Sequence, residues 1–558
     1  MNYKNYFKML ALSLLVASCS SNDDFGNEEI KTGPDGNAYL NLAFNLPTRN
    51  ANSRAGNDTF EDGAASEYQV NSAELVTFIG ADETTATVAE VINMVSFQPW
   101  NTVGETTDQV TARREVVQEI TNIPTGTDKI YAFVVLNMAH NDVVDIFGVG
   151  KKLSDVMEAT VSTMTGVGDG IIMMNAPLAH VNGTATTVKT LVEVTADHIK
   201  PTATEAQQAG AVEIYLERGV AKVTIGTHNA TGTFNEMPID PNNAPLTVAL
   251  DSWAIDYTNT TSYFARNVSE FDTWKDYEAS PTIGKRMVGT VAVGSAAPYN
   301  SAYRVYWAKD PNYTQPAANT NDNLNRIKDT DVANGWDDVE YPLENVFDIT
   351  NQRQNNATRL VFKASIKLNN NTAGSTVFQL STDGKIYRID NLRNLITSVI
   401  KYVMGDETSV VLKNDNQLSF YNAAGTAFIQ KEDLQGALSD DQFNTIKNNI
   451  GQIITYLNGV CYYTTTIKHF GEELTPWDVE NDPVDYSSDA EGAKKWLGRY
   501  GVLRNNWYEI NVNHILTLGT ATVPEPVTPD KPVDEKSYHI DVACNILSWA
   551  KRSYGVDL

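Results

Sequence analysis

Tyr39-Leu40-Asn41-Leu42-Ala43-Phe44-Asn45-Leu46 alternates, with Leu40, Leu42, Phe44 and Leu46 on one side, and Pro47 closes the run. A period of two is the pattern of a half-buried β-strand. Proline supplies no ladder donor, so the strand ends there. The stretch that follows, Asn50 to Asp58, is polar and rich in Asn, with the turn residues Gly56 and Asn57, as in an exposed loop. Within it lies Ser53-Arg54-Ala55-Gly56, a basic residue among small ones, and Arg49 offers a second basic residue nearby.

Upstream, Lys4 and Lys8 precede the apolar run Met9 to Ala17. That run is too short to span a bilayer stably and reads as a secretory signal. Val16-Ala17-Ser18-Cys19 resembles a bacterial lipobox, which implies cleavage before Cys19 and acylation of its thiol. Ser20 to Asp24 adds the acidic patch that resembles a surface-export signal of Bacteroidetes lipoproteins. These features predict an outer-membrane lipoprotein precursor, anchored rather than spanning.

Further along, Ala73 to Ile79, Thr87 to Val95, Lys129 to Met138, Ile171 to Met174 and Val188 to Val194 read as strands. Lys129 to Met138 is the most continuous apolar run of the first half, as in a central strand. Val212 to Ile225 reads as two strand pieces around Arg218-Gly219, with a domain boundary just after them. Leu246 to Ile255, Arg359 to Leu368, Val460 to Ile467 and Trp507 to Leu518 are further strands. Residues 259–345 read as long loops and short strands. Helix is expected in part of Val143 to Val161, and best of all over Leu434 to Leu457. There Phe443, Ile446, Ile450, Ile453 and Ile454 recur at helical spacing behind Asp440 and Asp441.

The C-terminal end changes character. After Gly519 comes a proline-punctuated tether with Pro524, Pro526, Pro529 and Pro532, which favours extended polyproline geometry. Beyond it Tyr538, Ile540, Val542, Cys544 and Ile546 alternate with His539, Asp541 and Asn545. This is a strand pattern on a tether, and it predicts pairing away from its own domain. Asn545 to Trp549 breaks the alternation, as a bulge would.

The chain has 558 residues and a net charge of −27. That balance argues against nucleic acid as a partner, which calls for a basic footprint. Of three cysteines, Cys19 is assigned to lipid, which leaves Cys461 and Cys544. They could form a disulfide in an oxidising compartment, or serve as small buried hydrophobes. The seven histidines are scattered, with no i,i+4 pair. Gly148 to Lys152 and Gly166 to Gly170 lack P-loop spacing, and no GxSxG elbow occurs. No catalytic residue, metal site or cofactor is assigned, and the chain is not read as an enzyme. Asn321 to Asn325 could offer oxygens to calcium but lacks the EF-hand glycine and glutamate.

If Leu40 to Leu46 is a core strand, a cut after Arg54 severs its link to the fold and uncovers a groove. Burial of its four large apolar side chains is worth roughly 6–10 kcal/mol. The tail carries a matching apolar face, so one chain's tail can fill the next chain's groove. Such a contact is head-to-tail and propagates into a filament.

At this point the sequence resembles the Bacteroidales fimbrillins, subunits of type V pili, and among them the shaft subunit of short fimbriae. The resemblance rests on Ser53-Arg54-Ala55-Gly56, Lys129 to Asn137, Val212 to Val223, Val502 to Gly519 with the tether, and the ending Ser553 to Leu558. It implies a mainly β fold: two β-sandwich-like (transthyretin-like) domains, a few short helices and an extended C-terminal donor strand. The implied division is a signal peptide (1–18), a propeptide with the removable strand (19–54), an N-terminal domain (55–226), a C-terminal domain (227–519), then tether and donor strand (520–558). It also implies maturation between Arg54 and Ala55 by a trypsin-like Arg-specific protease. The implied partners are identical subunits, anchor and tip pilins, and the outer membrane through the lipid on Cys19. The implied location is the cell-surface fimbrium, with a role in adhesion and biofilm. The competing reading is a surface glycan-binding lipoprotein of a polysaccharide-uptake system, also β-rich and lipidated.

Overall fold

The computed structural model describes residues 30–47, 63–95, 97, 110–182, 185–228, 231–234, 246–274, 286–294, 298–314, 323–368, 374–470, 474–476, 478, 490–526, 533, 541–542, 545–548 and 550–557. Its strands are β1 (Ala38–Pro47), β2 (Ala73–Gly80), β3 (Thr87–Asn93), β4 (Val110–Ile120), β5 (Lys129–Leu136), β6 (Met173–Asn175) and β7 (Val212–Arg218). These form one sheet in the order β3-β2-β5-β6-β7-β1-β4, with Val192–Val194 also pairing β5. The apolar run of β5 is accounted for by its place in the middle of this sheet. Ile130, Ala132 and Val134 enter one core with the Leu40–Leu46 face of β1. Tyr131, Phe133 and Val135 enter a second core on the other side.

That second core crosses the expected boundary. Phe264, Trp274, Trp307, Phe470, Trp496 and Leu503 all pack into it. A four-stranded sheet likewise joins Leu178–Asn182 and Ala185–Lys189 to Val288–Ala292 and Ala302–Val305. Units 55–226 and 227–519 therefore share an interior. The polar look of 259–345 hid buried aromatics spaced among loops.

The switch between halves falls earlier than Ile225. β7 belongs to the first sheet, whereas β8 (Lys222–Ile225) runs parallel to β9 (Asn506–His514) in another. Gly219 lies at the crossover, where an added Cβ would meet Met164 Sδ at 2.6 Å and the Ile172 carbonyl at 3.2 Å. The second sandwich packs this sheet against Thr231–Phe234, Leu246–Asp256, Arg359–Leu368 and Val460–Thr466. Val223, Trp253, Phe362, Tyr508 and Ile510 share its core.

A further lobe carries the two longest helices among the described residues. The expected Leu434 to Leu457 helix is only Asp440–Ile450. Ser439 and Gln442 cap it reciprocally, and Gly451 at φ +76° ends it. Ile453 and Ile454 lie instead in the strand Gln452–Tyr456. The longer helix, Ile389–Met404, was not singled out in the sequence, although Leu392, Ile396 and Ile400 are buried at i,i+4 spacing.

The tail also differs from expectation. The segment near Thr520 bridges Tyr462, and Arg359 donates to the Pro524 carbonyl at 2.6 Å, so the root of the tether is seated on the domain. β10 (Asn545–Ser548) and β11 (Ala550–Asp557) form a hairpin, and β11 runs parallel to β9 from Asn506 to His514. Asp541–Val542 pairs with the end of β11. In the single chain, then, the tail closes the edge of β9 rather than standing free. An open edge presents unpaired backbone groups and recruits the nearest strand.

Candidate assembly site

β1 is the first strand among the described residues, yet it lies inside the sheet. It runs parallel to β7, with Leu42 beside Val212 and Asn45 beside Tyr215. It runs antiparallel to β4, from Ala38 beside Ile120 to Leu46 beside Ala112. Leu40, Leu42, Phe44 and Leu46 are at most 1% exposed, as the alternation predicts. Exchanged amide bonds between Tyr39 and Lys200 (2.8 and 3.0 Å) hold the start of β1.

The opposite face of β1 is buried as well. Asn41, Ala43 and Asn45 are at most 2% exposed. Glu115 on β4 and Glu213 on β7 flank Ala43 directly. Arg113 on β4 contacts Glu115 at 2.5 Å and Glu213 at 2.7 Å, so its guanidinium bridges from one neighbour of β1 to the other across Ala43. The hydrogen bond from Arg113 holds the Glu115 carboxyl below its ordinary value. Asn45 donates to Glu213 at 2.6 Å and Asn41 to Glu115 at 3.3 Å.

β4 is the last strand of the sheet and pairs with β1 alone among the described strands. Its sequence, with Arg113, Arg114 and Glu115 at its centre, carries no clean apolar alternation, and it escaped the sequence reading. The Arg113 bridge escaped for the same reason: only the fold brings residues 45, 113 and 213 together.

Cys19, Arg54 and Ala55 lie outside the described residues. The peptide from 48 to 62 is the covalent connection between β1 and everything after it. Tyr538, Ile540 and Cys544 also lie outside the described residues, while Val542 and Ile546 fall in strands.

Elsewhere the chemistry is structural. Cys461 is a buried free thiol, and burial pushes it up to about 12. His469 is buried between the Tyr508 hydroxyl (2.8 Å) and the Tyr306 carbonyl (2.9 Å). Asn321 and Asp322 lie outside the described residues, and Leu324–Asn325 pairs as a short strand with Thr258–Asn259. No group of three or more His, Cys, Asp or Glu side chains that could hold a metal occurs among the described residues. No helix among them is long and apolar enough to cross a membrane.

Residues 454–555 match the family model described as major fimbrial subunit protein type IV, fimbrillin, C-terminal. The C-terminal region of the chain is thus similar to that of the fimbrillins, the family the sequence resembles. No curated protein matches the chain. Among solved structures, a candidate cell adhesion protein of Parabacteroides distasonis is 13% identical, covering 93% of this chain and 99% of that one, with a TM-score of 0.32. A fimbrilin of Porphyromonas gingivalis is 11% identical over 93% and 97%, with a TM-score of 0.32. A C-terminally truncated tip fimbrial protein of Porphyromonas gingivalis is 12% identical over 59% and 80%, with a TM-score of 0.23.

Proposed function

We propose that this chain is the shaft subunit of a cell-surface fimbria. It is exported as a lipoprotein through Cys19 and matured by an Arg-specific protease that cuts between Arg54 and Ala55. It then polymerises as the C-terminal strand of one copy enters the slot that β1 vacates in the next. The observation that carries this reading is the place of β1. A strand with four apolar side chains at most 1% exposed sits between two neighbours, and the connection after it passes through the arginine-bearing segment 48–62. Loss of such a strand leaves two unsatisfied ladders and an apolar trough, an acceptor for a strand from outside. A shaft position follows from having both devices: an anchor has no need of the cut, and a tip has no need of the donating tail. Anchor and tip pilins then cap the two ends of the filament, and the assembled surface serves adhesion and biofilm.

Mild trypsin on the purified precursor, followed by a non-boiled gel, tests the scheme. The expected result is a ladder that grows after cleavage, with Ala55 at the new amino end. Deletion of Ser537 to Leu558 is expected to abolish the ladder while the fold persists. A cleaved chain that stays monomeric would favour the glycan-binding alternative.

A further inference from the structure

We infer that the donor strand occupies the vacated slot in a single register, with residue 540 in the place of residue 40 through residue 546 in the place of residue 46. This rests on the strand exchange proposed above and specifies its geometry. Residues 40–46 read Leu-Asn-Leu-Ala-Phe-Asn-Leu, and residues 540–546 read Ile-Asp-Val-Ala-Cys-Asn-Ile. The likeness holds on both faces of the strand. Aliphatic residues coincide at three inward positions, and Cys544 coincides with Phe44. Outward, Ala543 coincides with Ala43, Asn545 with Asn45 and Asp541 with Asn41.

The outward face sets the register. Ala43 is fully buried between Glu115 and Glu213, and the Arg113 bridge passes over it. A larger side chain there meets the bridge, and a carboxylate there meets two others. Of the tail's outward residues His539, Asp541, Ala543 and Asn545, only Ala543 is small and uncharged. A slip of two residues, which keeps the apolar face inward, places Asp541 or Asn545 beneath the guanidinium. A slip of one turns the apolar face outward. With Ala543 in place, Asn545 supplies the amide that Asn45 now donates to Glu213.

Direction follows from the two ladders. A strand that runs as β1 does meets β7 in parallel and β4 antiparallel, and reuses the same backbone groups. The reversed strand turns both pairings over, and it brings Asp541 rather than an amide to Glu213. The chosen register has one mismatch, since Asp541 cannot donate to Glu115 as Asn41 does. It also leaves the seat of Phe44 underfilled by Cys544. In the free chain Asp541, Val542 and β10 pair with β11, so that hairpin opens on donation.

Paired cysteines test the register. Asn41 faces Val117 across the β1–β4 ladder, and directly opposite residues lie within disulfide reach. In full-length chains carrying Cys544→Ala, Val117→Cys is combined in turn with Asp541→Cys, Ala543→Cys or Asn545→Cys, and each is cleaved and polymerised. The expected result is a reducible intersubunit link with Asp541→Cys alone, and loss of the ladder with Ala543→Leu. Cross-linking through residue 545 would show the reversed strand, and through residue 543 a slipped one. Either would overturn this register while the exchange itself stands. A cleaved chain with an unaltered tail that forms no polymer would instead refute the parent reading, and the register with it. A second readout uses Cys544→Phe, which in this register refills the Phe44 seat and raises the temperature at which the ladder dissociates. A lowered dissociation temperature would count against the register.

Discussion

Asp310 is buried, with one carboxylate oxygen accepting from Asn259 at 2.7 Å and from the Val346 amide at 2.8 Å, and the other from the Asn312 amide at 2.7 Å. Burial pushes it up to about 7 from an ordinary 3.8, against the pull of those amides. A raised folded-state value means that folding takes up a proton. The stability this contributes is complete below about 3.8 and is lost as the pH rises through about 7. The unfolding free energy from urea titrations is therefore expected to fall between pH 4 and 7.5, by at most about 1.4 kcal/mol per pH unit from this group. Asp310→Asn should flatten that slope; an unchanged slope would acquit Asp310. Nothing in the sequence around Asp310 distinguishes it from the solvated aspartates, because its value is set by burial, and the residues that enclose it, Asn259 and Val346 among them, are far away in the chain. By contrast the inward set Leu40, Leu42, Phe44 and Leu46 was legible, since alternation is a local property.

Among the elements, β4 depends most on another. Its ladder bonds run to β1 alone among the described strands, and Arg113 reaches β7 only by passing over β1. Loss of β1 therefore frees a strand of eleven residues along with the slot. Amide hydrogen exchange over Val110–Ile120 is expected to be slow in the precursor, to accelerate once residues 38–47 are cut and removed, and to slow again in the fibre. Protection that persists after β1 has gone would mean that β4 has another hold on the fold. Exchange measured by mass spectrometry resolves this segment directly. At this scale the sequence misled in one instructive place. Ile453 and Ile454 continue the helical spacing of Ile446 and Ile450, yet Gly451 stops the helix and the next residues join a sheet. Periodicity does not see a terminator that acts through φ.

For the whole molecule, the two halves of the chain are one interior. Arg504 is fully buried and donates to the Phe264 carbonyl at 2.7 Å and the Ser262 hydroxyl at 2.9 Å, with Glu344 at 3.3 Å, and it reaches Met174 Sδ of the first half at 3.8 Å. Arg504→Met should strand the Glu344 carboxylate in that interior and destabilise the protein by roughly 3–5 kcal/mol. Calorimetry should record a lowered midpoint for both halves together; a shift confined to one of two separate transitions would show that they unfold independently. The sequence by itself determined the β class, the inward face of β1, the proline-punctuated stretch after Gly519 and the likeness of the C-terminal region to the fimbrillins. Each of these is written in neighbouring residues, as alternation, proline spacing or an ordered run of motifs. The tertiary structure alone decided that β1 is flanked on both sides, that β4 hangs from it, that Arg113 bridges over Ala43 and that the halves share a core. Those are pairings between residues tens to hundreds of positions apart. A strand's pattern tells which face is buried, but not which strand lies beside it.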